Sequence, residues 1–289
     1  MRIAAKYDNA VLAAPMVLFL LAFLGFPAVV DIIYSFSDVN FETLRSPELS
    51  GIGNYTAVIA DEEFWQAAWF SLKFGFLTAL AECFLGLFLA VFLAPLLTKR
   101  SWLLAILMMP MMVAPAMVGL MYRLVLHEFV GPLPYYLYMW LGDSPSFLNR
   151  ENVFSTLLVI ETLQWTPFAF LLFYVAYRAI PGDMREAAMM DGARSWAMLR
   201  YIELPQLMPT IAIAFFIRFI DGFRVFDNIF VLTGSGAGGS TTSMSIYIYL
   251  AFFKLGEIGK AVAASMVLFV AVFIVLIVVG RLSRRRALT

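Results

Sequence analysis

Three long apolar runs of the chain contain no charged residue, at residues 10–30, 101–122 and 261–280. A hydrocarbon core about 30 Å thick needs roughly 20 apolar residues of helix, because a spanning segment must satisfy its own backbone hydrogen bonds. Of the 289 residues, 62% are hydrophobic and only 14% are charged, which is far from the balance of a soluble domain. The sequence therefore predicts an all-α integral membrane protein.

Three further segments have the required length but carry acidic or basic residues, so that the predicted number of transmembrane helices is six. We expect one transmembrane domain over residues 1–289, with approximate spans at 10–31, 67–97, 101–125, 152–177, 206–232 and 259–281. A cleaved signal peptide is the alternative for the first run. That run is long for a signal core and lacks a convincing small-residue cleavage site after it, so we expect a retained helix.

The basic residues predict the orientation of the bundle, because Lys and Arg near the ends of spans stay on the cytoplasmic side. With six spans and an inside N-terminus, the inside segments hold Arg2, Lys6, Lys99, Arg100, Arg178, Arg185, Arg194, Arg200, Arg281, Arg284, Arg285 and Arg286. Both termini and the loop 178–205 are then cytoplasmic. The outside loops are 36–66, 127–151 and 233–255, and the first two of them are rich in Asp and Glu.

A polar insert, EAAMMDGARSWAMLRYIELPQLMP at residues 186–209, lies between the fourth and fifth predicted spans. Residues 184–190 favour a helix, Gly192 can adopt the left-handed conformation that ends it, and Ser195 is a candidate N-cap for a second short helix that Pro205 ends. Spacing alone leaves two interpretations. The insert is either a knob that docks into a groove on a cytoplasmic partner or a solvated charged linker.

The insert resembles the EAA motif of ABC importer permeases, in the form EAAxxDGA, eight residues, then IxLPxLxP. The segments NYTAVIADEEFWQA, QWTPF and FDNIFVLTGSGAGGSTT are similar to other parts of the carbohydrate-uptake, binding-protein-dependent permeases, whose best-known relatives carry maltose. Together these resemblances cover most of the chain from Asn54 onward. One departure is GSGAGGS, which stands where many relatives have GGGPGG.

The resemblance implies a type I ABC importer permease fold in a bacterial or archaeal cytoplasmic membrane. It also implies a second homologous permease, two cytoplasmic ATPase subunits and an extracytoplasmic solute-binding protein that delivers a sugar. It assigns coupling to the ATPase to Glu186, Ala187, Ala188, Asp191, Gly192, Ala193, Ile202, Leu204 and Pro205. No GxxxxGK[ST] phosphate loop occurs in the sequence, so we expect ATP and Mg²⁺ on the partner subunits, no cofactor on this chain and no enzymatic activity of its own. No nucleic-acid partner is expected.

Ionisable groups at membrane depth cost at least a few kcal/mol each unless they face a cavity or a partner, so they are candidates for the solute pathway. In the fourth predicted span, a carboxylate, an amide and an indole lie on one helical face at i, i+3 and i+4, a combination that suits a sugar. In the fifth, alternating charges recur every three residues along one stripe, either as self-neutralised pairs or as solute contacts. The candidates are Glu82, Glu161, Gln164, Trp165, Arg218, Asp221, Arg224, Asp227 and Asn228.

The alternating charges of the fifth span sum to zero, which favours a neutral sugar or polyol as the solute. An unpaired Arg218 or Arg224 would instead favour an anionic sugar. The main alternative function is a stand-alone proton-coupled sugar carrier in which Glu82 and Glu161 relay protons, but it leaves the EAA insert unexplained. A structural assembly subunit is a further alternative. A membrane enzyme is disfavoured, because one His and one Cys supply neither a catalytic constellation nor a metal-ligand cluster.

Overall fold

The computed structural model describes residues 12–236 and 239–286, and most of these residues are helical. The helices are α1 (Leu12–Ser35), α2 (Gly53–Ala60), α3 (Glu62–Lys99), α4 (Trp102–Met108), α5 (Pro115–Val125), α6 (Pro132–Leu141), α7 (Val153–Arg178), α8 (Gly182–Met190), α9 (Ser195–Met198), α10 (Leu204–Phe223), α11 (Asp227–Thr233), α12 (Met244–Tyr249) and α13 (Ile258–Arg286). The described chain is not purely helical, because the short strands β1 (Ser37–Asp38) and β2 (Glu48–Leu49) pair antiparallel, with Ser37 opposite Leu49.

Within the described residues, α1, α3 and α7 are long and apolar enough to cross a membrane. The helices Trp102–Met112 and Pro115–Val125 form a pair that is bent by 84° at the break between them. If this pair counts as one span, it is a fourth crossing. The bend follows from Pro110 and Pro115, since proline lacks the amide hydrogen that a continuous helix needs. Residues 10 and 11 of the first predicted span, with Arg2 and Lys6, lie outside the described residues, as do residues 237 and 238 of the third outside loop.

The chain divides into two compact units, and the boundaries between them fall inside α3 and α12. One unit comprises the described parts of Met1–Trp65 and Tyr247–Thr289, and the other is Gln66–Ile246. In the first unit α13 packs against α1 and α2. Gly259 permits this approach, because a Cβ there would lie 2.5 Å from Ser37 O and 2.7 Å from Asn54 Nδ2. The Asn54 amide donates to Ser37 O at 2.8 Å and so ties α2 to β1.

In the second unit, small residues let α3 approach α7 and α10 backbone to backbone. A Cβ on Gly75 would lie 2.7 Å from the Phe223 amide nitrogen, and one on Gly222 would lie 3.0 Å from the Gly75 Cα. A Cβ on Gly86 would likewise lie 2.7 Å from the Phe170 amide nitrogen on α7. Close packing of this kind stabilises helix pairs where lipid provides no hydrophobic driving force between them. These close contacts bring α3, α7 and α10 together around one shared core.

The structure of the polar insert differs from the prediction at Pro205 and at Ser195. Pro205 does not end the second short helix, because α9 continues through a π-helical turn at Leu199–Glu203 directly into α10. Proline is tolerated in the first turn of a helix, where Pro205 lies, and the wider π-turn precedes it. Ser195 is not an N-cap. Arg194 occupies that position without a side-chain capping bond, and Ser195 is the first residue of α9.

Candidate functional site

Arg218 is the centre of a buried charge cluster that joins three helices. Only 1% of this residue is exposed. Its Nε lies 2.5 Å from Glu82 Oε2 on α3, its Nη2 lies 3.5 Å from Glu161 Oε1 on α7, and its Nη1 lies 3.3 Å from Asp221 Oδ2 on α10 itself. A guanidinium can be buried at this depth only where opposite charges and hydrogen bonds compensate for its lost hydration. The cluster therefore fixes α3, α7 and α10 at one level.

A chain of amide hydrogen bonds continues from this cluster to α11. Val113 lies in the break between α4 and α5, and its carbonyl accepts a hydrogen bond from Gln164 Nε2 at 3.0 Å. Gln164 therefore presents Oε1 to Asn228, whose Nδ2 donates to it at 2.9 Å and to Glu161 Oε2 at 2.6 Å. Both hydrogens of the Asn228 amide are used. Its Oδ1 accepts no hydrogen bond from any described residue.

A cavity of about 510 Å³ lies beside the cluster, within the usual size range of small-molecule sites. The side chains of Arg218 and Trp165 form part of its wall, and the Arg218 guanidinium carbon lies 4.5 Å from the centroid of the Trp165 ring. The other predicted residues in the lining are Glu161, Asp221, Arg224, Asp227 and Asn228. This cavity combines an aromatic surface with charged and amide groups, which is the chemistry that a polyhydroxylated solute requires.

Two predicted pathway residues do not line the cavity. Glu82 is fully buried against Arg218, and Gln164 is buried between Val113 and Asn228. Of Glu161, Gln164 and Trp165, only Glu161 and Trp165 line the cavity, and contact of Gln164 with a solute stays a prediction. Its amide bonds within the protein because the break before α5 leaves a carbonyl without a helical partner.

The predicted stripe of charges on one helix is wrong. Helix α10 ends at Phe223, Arg224 is its C-cap, and Asp227 begins α11. The break is stabilised by hydroxyl groups from further along the chain, since Ser243 Oγ donates to Val225 O at 2.6 Å and Ser245 Oγ donates to Arg224 O at 2.8 Å. Sequence reasoning missed these two serine contacts.

Local pairing along α10 takes the form that the spacing predicts. Asp221 lies 3.3 Å from Arg218 and 3.2 Å from Arg224. Asp227 forms no ion pair with any described residue, so the alternation of charges does not extend to it.

The EAA insert is built around the turn at Gly192. Gly192 has φ +81°, as its predicted left-handed conformation requires. Its amide donates to Met189 O at 3.0 Å, and the Ala193 amide donates to Ala188 O at 2.9 Å. These two bonds are those of a Schellman motif, which satisfies the last carbonyls of a helix. The chain therefore turns sharply at the end of α8, which remains a short helix.

Apolar side chains of helix α8 are exposed on the surface of the chain. Met190 is 88% exposed and Met189 is 59% exposed, while Ala188 is buried. Among the other predicted coupling residues, Glu186, Ala187, Asp191, Gly192 and Pro205 are exposed, and Ala193, Ile202 and Leu204 are partly buried. An exposed surface that mixes methionines with acidic groups is suited to contact with another protein.

Arg185 and Glu203 form a pair that sequence reasoning did not single out. The Arg185 Nε donates to Glu203 Oε1 at 2.8 Å, and its Nη2 donates to Tyr177 O at 3.1 Å. No periodic signal joins these residues, because they lie on α8, on the π-turn before α10 and near the end of α7.

Comparisons with known proteins agree with this architecture. Residues 75–288 match the family model described as "Binding-protein-dependent transport system inner membrane component". The trehalose/maltose transport system permease protein MalF of Thermococcus litoralis is 36% identical over 239 residues, covering 81% of this chain and 80% of the relative. The probable ABC transporter permease protein y4oQ of Sinorhizobium fredii is 32% identical over 253 residues, covering 87% of this chain and 82% of the relative.

The fold also matches a crystal structure of a bacterial ABC transporter involved in the import of the acidic polysaccharide alginate. The TM-score is 0.84 at 22% identity, with 99% of each chain covered. The family model, the relatives and this fold agree with the resemblance that the EAA insert carries. The chain belongs to the family of binding-protein-dependent transport system inner membrane components.

Proposed function

We propose that this chain is a membrane-spanning permease subunit of an ATP-driven, binding-protein-dependent importer that carries a sugar or sugar-like solute into the cell. Family membership supports the transport role, and a relative named for trehalose and maltose transport supports a carbohydrate. The single observation on this chain that carries the proposal is the open cavity of about 510 Å³, lined by Trp165 and by the polar groups around Arg218.

In this proposal the chain crosses the membrane six times, with both termini and the loop 178–205 in the cytoplasm. The second permease would complete the pathway, and a solute-binding protein would deliver the sugar from outside. Two ATPase subunits would hold ATP and Mg²⁺. The exposed surface of α8, with Glu186, Met189 and Met190, would enter a cleft on one of those subunits. Closure of the ATPase pair would then move α8 and convert the cavity from inward-facing to outward-facing.

A neutral sugar or polyol is the first choice of solute. The guanidinium charges beside the cavity are balanced, because Arg218 pairs with three carboxylates and Arg224 pairs with Asp221, and this balance disfavours an anionic sugar. The Asn228 Oδ1, which accepts no bond from a described residue, is suited to a hydroxyl donor. An anionic sugar remains the second choice, and the proton-coupled carrier remains the alternative function.

The proposal is tested with the complete importer in nanodiscs. The permease pair and its ATPase subunits are co-expressed, and ATP hydrolysis is measured with a panel of binding proteins loaded with neutral or anionic sugars. Stimulation by one loaded binding protein is the expected result and identifies the solute class. If no ATPase subunit co-purifies and uptake follows a proton gradient, the importer proposal is rejected in favour of a proton-coupled sugar carrier.

A variant of Trp165 tests the cavity in the same assay. Trp165→Ala is expected to lower uptake at limiting solute about fivefold, since a lost aromatic contact costs about 1 kcal/mol. Trp140→Ala is the matched control, because Trp140 lies on α6 with 78% of its surface exposed. Equal effects of the two changes would remove Trp165 from the solute pathway.

A further inference from the structure

The position of α8 depends on few contacts within the second unit. A cavity of about 640 Å³ lies beside α8, and residues of α3 such as Phe92 and Pro95 line it together with Met189 and Trp196. Apolar side chains therefore leave a gap between α8 and the end of α3. Polar contacts have to determine where this helix sits.

Three side chains supply those contacts. The Arg185 guanidinium on α8 donates to the Glu203 carboxylate at 2.8 Å and to the Tyr177 carbonyl at 3.1 Å, and it stacks on the Tyr177 ring with 4.4 Å between guanidinium carbon and ring centroid. Only 6% of the Glu203 side chain is exposed. A buried carboxylate without its cation is costly, so the pair resists separation.

We infer that Arg185, Glu203 and Tyr177 form a clamp that makes α8 move as one body with the cytoplasmic ends of α7 and α10. This inference rests on the proposed function, in which α8 receives the movement of the ATPase. Arg185 and Glu203 are then positioning residues. They contact no solute and no nucleotide, and they act through the two helices that they join.

The same two helices carry the walls of the solute cavity. Helix α7 carries Trp165 and ends one residue after Tyr177, while α10 begins one residue after Glu203 and carries Arg218. At about 1.5 Å per residue, each cavity residue lies roughly 20 Å along its helix from the clamp. A displacement of α8 is therefore delivered to both sides of the cavity at once, and a loosened clamp would let α8 move alone.

The test measures the number of solute molecules imported per ATP hydrolysed, in proteoliposomes that contain the complete importer. Arg185→Gln and Glu203→Gln are each expected to lower this ratio about fivefold or more while ATP hydrolysis continues. The exchanged pair, Arg185→Glu with Glu203→Arg, is expected to recover part of the loss. Arg178→Gln is the matched control, because Arg178 bonds to Tyr174 on its own helix and bridges no second element in the described residues. Unchanged ratios in both single variants would overturn the inference.

A second measurement separates failure of the clamp from failure of the proposed function. Hydrogen exchange of the backbone amides of α8 is followed in the purified permease, without ATPase subunits or solute. Faster exchange in Arg185→Gln than in Arg178→Gln is expected, and equal exchange would reject the clamp even if transport by the native importer is established. If Arg185→Gln does not insert, Arg185→Lys serves instead, since lysine keeps the charge but cannot form both fork contacts. If exchange is faster in Arg185→Gln but the complete complex shows no ATP-driven uptake, the clamp is supported and the proposed importer function is rejected.

Discussion

Arg218 Nε lies 2.5 Å from Glu82 Oε2, although 136 positions separate the two residues in the sequence. Both side chains are almost completely buried. A buried ion pair adds little stability over an apolar pair of the same size, but the loss of one partner leaves an uncompensated charge in the interior. We therefore assign Glu82 to the fixing of α3 against α10, next to the cavity and not in its wall.

The first prediction concerns this ion pair. Glu82→Ala is expected to destabilise the chain by about 3 kcal/mol or more, because Arg218 loses its shortest contact while remaining buried. Thermal unfolding of the purified protein in detergent, followed by tryptophan fluorescence, checks the shift of the midpoint. Arg224→Gln is the control, since the Arg224 side chain is 68% exposed and an exposed pair contributes only about 0–1 kcal/mol. Equal shifts for the two variants would contradict the structural assignment of Glu82.

The sequence predicted the elements that depend on local composition. The first, second and fourth predicted spans correspond to α1, α3 and α7, because length and hydropathy alone decide that a helix can cross a membrane. The break after α10 was not predictable in this way. It depends on the Ser243 and Ser245 hydroxyls, which bond to backbone carbonyls about 20 residues earlier in the chain. Helical periodicity contains no information about such contacts.

In the candidate site, too, the sequence predicted what depends on residue type and missed what depends on contacts between distant segments. The sequence identified its charged side chains, because ionisable residues are rare and costly in apolar segments. It did not show that Gln164 bonds to the Val113 carbonyl, since that carbonyl is free only where the chain breaks before α5. The residues of the EAA insert were recognisable from their order, and the positive φ of Gly192 is confirmed. Their role in coupling stays a prediction.

The second prediction tests Gly192 as the turn after α8. Gly192→Val is expected to reduce transport while the permease still inserts, because a β-branched residue at φ +81° is strained by about 1–2 kcal/mol even though no atom lies within 4 Å of the new Cβ. Uptake and ATP hydrolysis in the complete importer are measured together. Gly182→Val is the control at the other end of α8, where the site is equally open and φ is not positive. Normal transport and ATP hydrolysis in Gly192→Val would show that this turn is not required for coupling.

The third prediction concerns the close approach of α3 and α10. Gly75→Ala is expected to destabilise the protein by about 1–3 kcal/mol, since its methyl group would lie 2.7 Å from the Phe223 amide nitrogen and backbone atoms cannot move aside as a flexible side chain can. The midpoint of thermal unfolding in detergent is the measurement. Gly182→Ala is expected to leave the midpoint within error, because no atom lies within 4 Å of its Cβ. A Gly75→Ala protein as stable as the native one would mean that the two helices can separate without cost.

The fourth prediction concerns pH and Asp61, which lies between α2 and α3 in the first unit. Asp61 accepts hydrogen bonds from Lys260 Nζ at 2.8 Å and from the Tyr247 hydroxyl at 2.7 Å. Burial alone would raise the pKa of Asp61, but these two bonds, the hydrogen bond from the Glu63 amide and the charge of Lys260 together hold the pKa below its ordinary value of 3.8. Burial and the bond to Asp61 raise the pKa of Tyr247, so its hydroxyl stays a donor throughout the acid and neutral range.

Because the pKa of Asp61 is lower in the folded than in the unfolded chain, its ionised form stabilises the fold at all pH values above 3.8, and the stabilisation is lost as the pH falls through the folded pKa. Asp61→Asn is therefore expected to lower the unfolding midpoint at pH 7 and to converge with the native protein as the pH falls below 3.8. The midpoint is measured in detergent from neutral to acid pH. Glu48→Gln, an exposed change on β2, is the control and should run parallel to the native protein. A difference between Asp61→Asn and native protein that does not shrink in acid would show that Asp61 stabilises the loop by its shape and not by its charge.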